Sequence, residues 1–126
     1  MNNNVDHNKF RLGAYGSTLL SGTAGIDLTG SSAKVYVCAI STLGDHDAKS
    51  TFSAMEALNG EVGSCVSSVT AENDLDNATT GLGAGGNGVD LSSSIDFPPG
   101  MTIYGKWDKV TMASGACVVY FAPKGI

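Results

Sequence analysis

Hydrophobic and polar positions alternate along this chain in short runs with the two-residue period of β-structure, and the clearest run lies near its end. In Ile103-Tyr104-Gly105-Lys106-Trp107-Asp108, Ile103, Gly105 and Trp107 share one face while Tyr104, Lys106 and Asp108 share the other. Val110 and Met112 continue on the opposite parity, so a β-bulge near Asp108-Lys109 is needed to keep the apolar set on one side. Ahead of this strand, Pro99-Gly100 suits the centre of a type II turn: proline fixes φ at the first position and glycine accepts positive φ at the second. Ala113-Ser114-Gly115 is a connection of hairpin size, and Ala116 to Phe121 is apolar at consecutive positions, which predicts a central strand buried on both faces. The pattern predicts a β-hairpin over 101–121, with Ile103, Trp107, Val110, Val118 and Tyr120 in the core.

Earlier segments continue the theme more faintly. Lys34 to Ile40 is β-branched and aromatic and apolar on both faces, which predicts a second central strand with Val35 and Val37 in the core. Phe10 to Leu20 reads as a short strand interrupted by turns at Gly13 and Gly16, and Cys65 to Thr70 as another short strand. Thr51 to Leu58 admits two readings. Met55 and Leu58 have helical spacing and Ser53 with Glu56 forms a potential capping box, whereas Phe52, Ala54 and Met55 suit a sheet edge with Asn59-Gly60 as a turn. Residues 1–9 are polar and Asn-rich, a flexible arm ahead of one β-domain spanning 10–126. The expected fold is all-β, a single-domain β-sandwich or compact barrel of about seven to nine strands closed by the C-terminal hairpin.

Composition narrows the function. With 126 residues the chain suits one domain that buries a core without staples. Only 15% of residues are charged and 17 are glycine, a balance typical of turn-rich β-proteins with much neutral surface. A net charge of −5, with lysines and arginines scattered, argues against nucleic-acid binding, which needs a basic stripe to displace counterions. No secretory signal and no membrane-length apolar stretch is evident, so no membrane partner is expected. Cys38, Cys65 and Cys117 are too widely spaced for a zinc pattern and are expected as reduced thiols.

Candidate chemistry is sparse. Asp45-His46-Asp47 sets two carboxylates beside an imidazole, but neighbouring side chains of an extended segment diverge, and a solvated loop is the expectation. Glu72, Asp74 and Asp76 resemble a calcium loop, yet the glycine and glutamate of an EF-hand are missing at their required offsets. Gly81-Leu-Gly83-Ala-Gly85-Gly86 contains G-x-G-x-x-G without the strand before it or the helix after it that a nucleotide fingerprint needs. Neither a G-x-S-x-G elbow nor an H-E-x-x-H motif is present, and the only histidines are His7 and His46. The expectation is therefore no enzyme, no catalytic or metal residues, no cofactor and no small-molecule substrate.

One resemblance adds to this. Phe97-Pro98-Pro99-Gly100, Thr102-Ile103-Tyr104-Gly105-Lys106-Trp107, Val110-Thr111-Met112-Ala113-Ser114-Gly115 and the closing apolar strand to Tyr120 are similar to the C-terminal end of small structural proteins of tailed-bacteriophage virions. A weaker echo in Thr51 to Leu58 tips that segment toward strand. The resemblance covers about a third of the chain, and its motif is one of packing, without chemistry. It implies a virion protein made in the bacterial cytoplasm, with capsid decoration or cement the favoured role. The implied partners are the major capsid protein and further copies of itself, a trimer matching the three-fold positions of capsid lattices. The alternative is a carbohydrate- or surface-binding β-sandwich of a head fibre or tail. That reading needs exposed aromatics over a polar groove, and an exposed Trp107 would favour it.

Overall fold

A computed structural model describes residues 13–30, 32–44, 49–58, 65–67 and 91–124. These residues form six strands and no helix: β1 (Ser17–Ser21), β2 (Gly25–Asp27), β3 (Val35–Leu43), β4 (Thr51–Ala57), β5 (Thr102–Ser114) and β6 (Ala116–Pro123). Thr51–Ala57 is thus strand, while Cys65–Ser67 carries no strand and the rest of the segment expected around 65–70 lies outside the described residues. All six strands belong to one antiparallel sheet, ordered β1-β6-β3-β5-β2 with β4 also on β5. The sheet curls into a half-barrel, so the all-β fold takes the barrel-like form, with no second sheet among the described residues.

The chain joins β5 to β6 at Gly115, yet these two strands do not pair with each other. β3 lies between them, its Ile40 opposite Ile103 of β5 and Val119 of β6. The hairpin expected over 101–121 is therefore corrected to a corner. At φ +89, Gly115 adopts a conformation that L side chains rarely take, and a Cβ there would come within 2.7 Å of Lys49 O, Ser50 Cα and Ser50 Oγ. The close approach is to the segment just before β4, and the chain passes the end of β3 here, with Leu43 opposite Ala116, instead of folding back on itself. Every ladder of the sheet contains β5 or β6; β1 to β4 never pair among themselves.

β5 is long enough to serve two neighbourhoods. Trp107 is opposite Val37 on one edge and Ala57 on the other, which places β3 and β4 on opposite edges. Further along, Lys109 to Thr111 pairs with β2. Lys109 is opposite Glu56 and Trp107 opposite Ala57, leaving Asp108 as the extra residue of a bulge. That bulge keeps Trp107, Val110 and Met112 all buried despite their change of parity. The concave face holds these three with Val37, Ile40, Phe52, Met55, Cys117 and Val119. Phe52 meets Phe97 edge to face at 5.4 Å, an arrangement favoured by the ring quadrupoles.

Of the residues expected in the core, Val37, Trp107 and Val110 are fully buried and Ile103 packs against the cluster half-buried. Val35, Val118 and Tyr120 are half-buried. On β6 the sealed side chains are Cys117 and Val119, so Val118 and Tyr120 belong to the opposite, convex face.

Candidate functional site

The end of the sheet where the chain crosses itself is held by buried hydroxyls. Pro98 to Met101 forms the expected turn, with Gly100 at φ +83, the value a type II turn requires of its third residue. The bond that normally closes such a turn joins the first carbonyl to the fourth N–H. Here the hydroxyl of Thr42, itself 1% exposed, stands between them. It donates to Pro98 O at 2.5 Å and accepts from the Met101 N–H at 3.0 Å. Backbone bonds from Thr42 N–H to Met101 O and from Gly100 N–H to Thr42 O complete the clasp. Alongside it, Ser50 bridges to Phe97 through both backbone groups and donates its hydroxyl to Ala116 O at 2.9 Å. All buried side-chain polar atoms among the described residues have partners. These hydroxyls are structural.

On the convex face, register fixes which side chains share a row, because paired residues of antiparallel strands point the same way. One row runs Leu19, Val118, Ser41, Thr102, with Ser41 and Thr102 hydroxyls 2.9 Å apart. The next runs Ser17, Tyr120, Ala39, Tyr104. A third joins Ser21, Ala116 and Leu43. None of these residues is Asp, Glu, Lys or Arg. Leu19 is 62% exposed and Tyr104 70%, so the rows form an open, uncharged surface of aliphatic, aromatic and hydroxyl groups. The sequence pattern hides it: a run apolar at consecutive positions points Val118 and Tyr120 to the core, and Leu19 sits beside Leu20 in a run with no visible polarity of its own.

Trp107, by contrast, has no exposed surface, and its indole N–H donates to Cys65 O at 2.6 Å. The three cysteines are free. Burial pushes the Cys117 thiol up to about 11 and raises those of Cys38 and Cys65. Cys65 is nonetheless an exposed residue, and accessibility rather than acidity sets it apart from the buried Cys117. Asp27 accepts from the Thr29 hydroxyl at 2.6 Å and the Thr29 N–H at 3.0 Å, which together hold its carboxyl below the usual value. Lys109 and Glu56 face each other across strands at 3.8 Å, an exposed pair of small worth.

Among the described residues, no group of three His, Cys, Asp or Glu comes together to hold a metal. His46 with Asp45 and Asp47, the Glu72, Asp74 and Asp76 set and the glycines 81–86 lie outside the described residues, as does the arm 1–9. No described helix is long and apolar enough to cross a membrane. The chain matches no protein-family model, no curated protein and no solved structure.

Proposed function

We propose that this chain is a structural subunit of a tailed-phage virion, a decoration or cement protein that works through packing surface. The observation carrying this reading is the convex face of β1, β6, β3 and β5. Its three rows expose Leu19, Leu43 and Tyr104 among serine and threonine hydroxyls without a charge, with Lys106 of β5 at their border. Such a face suits repeated contacts of modest strength, which a shell multiplies through symmetry and avidity. The similarity of residues 95–120 to small phage structural proteins points the same way.

The carbohydrate-binding alternative relies on exposed aromatics over a polar groove. Its strongest ring, Trp107, is spent on the core, which leaves Tyr104 as the most exposed aromatic among the described residues.

The test is biochemical. Purified particles of the phage encoding this chain should contain it in a fixed ratio to the major capsid protein, and the recombinant chain should co-sediment with capsids lacking it. A variant with Leu19, Leu43 and Tyr104 changed to Ser, Ser and Lys should fold but sediment free of capsids. Absence from purified particles, or unchanged capsid binding by that variant, would overturn the reading.

A further inference from the structure

The sheet has an open edge at β1, and the hydrogen bonds already made by this strand define what it still offers. Phe121 N–H donates to Gly16 O, and Gly22 N–H donates to Gly115 O. In the β1–β6 register, Gly16 and Gly22 therefore turn their backbone groups toward β6, as do Thr18 and Leu20 between them. Ser17, Leu19 and Ser21 turn theirs outward. Among the described residues no strand pairs with that side, and the one outward group in use is the Ser21 carbonyl, which accepts from Ala24 N–H and keeps a second lone pair.

Exposed edges are ordinarily guarded by charge, proline or a bulge. The edge of β5 around Thr102 to Lys106 that no strand pairs with among the described residues carries such a charge, Lys106. β1, Ser-Thr-Leu-Leu-Ser, has none. Its neighbour β6 has no ionisable side chain except Tyr120 and Cys117, so a second negatively charged copy meets no repulsion here.

We infer that β1 is a self-pairing edge, on which a second copy of this chain docks its own β1 antiparallel about a two-fold axis through Leu19. The strand is complementary to itself in that register. Leu19 lies opposite Leu19 of the second copy, Ser17 opposite Ser21, and Ser21 opposite Ser17. All three outward-pointing residues are thereby paired, with about six backbone hydrogen bonds in total. The row on the convex face becomes Thr102, Ser41, Val118, Leu19 and then the same residues in reverse order. The 62% exposure of Leu19 ends in a leucine–leucine contact flanked by valines. The six strands of each copy join in one continuous sheet.

A five-residue edge buries less than the roughly 800 Å² per partner of a standard stable interface, so the dimer belongs to the weak class, with a Kd between about 1 μM and 1 mM. This inference does not rest on the virion reading and gives self-association two-fold rather than three-fold symmetry.

The test uses the full chain in sedimentation velocity over increasing concentration, with circular dichroism to confirm folding. The wild type should pass from monomer to dimer, and Leu19→Lys should weaken the dimer at least about tenfold by facing two like charges at the axis. In a Cys65→Ser background, oxidation should cross-link Leu19→Cys with itself, since the paired Cα atoms would stand about 5.5 Å apart, within disulfide range. Thr18→Cys, on the other face and opposite Leu20, should stay uncross-linked. A monomer up to about 1 mM, a trimer, equal cross-linking of the two cysteine variants, or an unchanged dimer in Leu19→Lys would each overturn the proposal. So would a dimer that forms only after residues 2–9 are deleted, because the chain's own arm would then be the occupant of this edge.

Discussion

Replacing Thr42 by valine removes one hydroxyl and keeps the shape. That hydroxyl stands in for the closing bond of the turn at Pro98 to Met101, donating to Pro98 O and accepting from Met101 N–H. Its loss strands two backbone groups. A buried donor or acceptor left without a partner costs about 1–3 kcal/mol. Met101 is 39% exposed, so water can reach its N–H and the low end of that range applies to it. Pro98 is exposed as well, so its carbonyl also takes the low end, and the extra apolar contact of the valine methyl offsets part of the sum. The expected loss is about 1.5 kcal/mol, which for a domain of this size lowers Tm by about 4–8 °C. Thr42→Ser is the matched control: it retains the hydroxyl and gives up one methyl, about 0.8 kcal/mol. Urea denaturation followed by circular dichroism reads both. A valine variant within about 0.5 kcal/mol of wild type, or a serine variant as destabilised as the valine one, would refute the bridging role.

Gly115→Ala should cost about 3 kcal/mol or more and show as loss of soluble folded protein, because the added Cβ meets Ser50 and the Lys49 carbonyl at 2.7 Å in a backbone conformation unfavourable to alanine. Trp107→Phe should lose about 2–4 kcal/mol from the unpaired Cys65 carbonyl and the unfilled volume; in the wild type, Trp107 emission should be blue-shifted and resist iodide quenching. Under native conditions a thiol reagent should label Cys65 first and Cys117 only after denaturation, and equal rates for the two would contradict the burial of Cys117. The Asp27 carboxyl, fully exposed and lowered by its Thr29 hydrogen bonds, contributes stability present above its unfolded pKa and lost as pH falls through its lower folded value. A carbon-13 carboxyl titration should show that depressed midpoint in the wild type and its return upward in Thr29→Ala.

The local patterns proved readable where one short stretch contained all the information. The type II turn needed only Pro99-Gly100, and the bulge at Asp108 followed from the parity conflict between Trp107 and Val110. The corner at Gly115 was not readable in this way. Ala113-Ser114-Gly115 has the length of a hairpin loop, and nothing within it announces that β3 inserts between its two arms. That insertion is a long-range fact, visible in the Ser41–Thr102 contact between residues 61 positions apart. Strand β6 is apolar at consecutive positions, so alternation could not distinguish Cys117 and Val119 from Val118 and Tyr120. For the same reason the convex face was invisible as a surface. Thr42 gave no warning either, since a threonine at the end of an apolar run is an ordinary strand residue until its turn arrives from elsewhere.

Because every ladder contains β5 or β6, the first hundred residues emerge from the ribosome without any pairing partner for their described strands. The described sheet must wait for residues 102–123, and it then requires contacts of large sequence separation, the class that forms slowly. During synthesis β1 and β3 are uncharged, unpaired strands, the kind of segment that chaperones shield and that aggregates when they do not. A premature stop before residue 102 should therefore yield an unfolded chain rather than a smaller domain. Moving residues 102–123 ahead of residue 13 by circular permutation would make the pairing strands available first, and should raise soluble yield in a cell-free system without added chaperones.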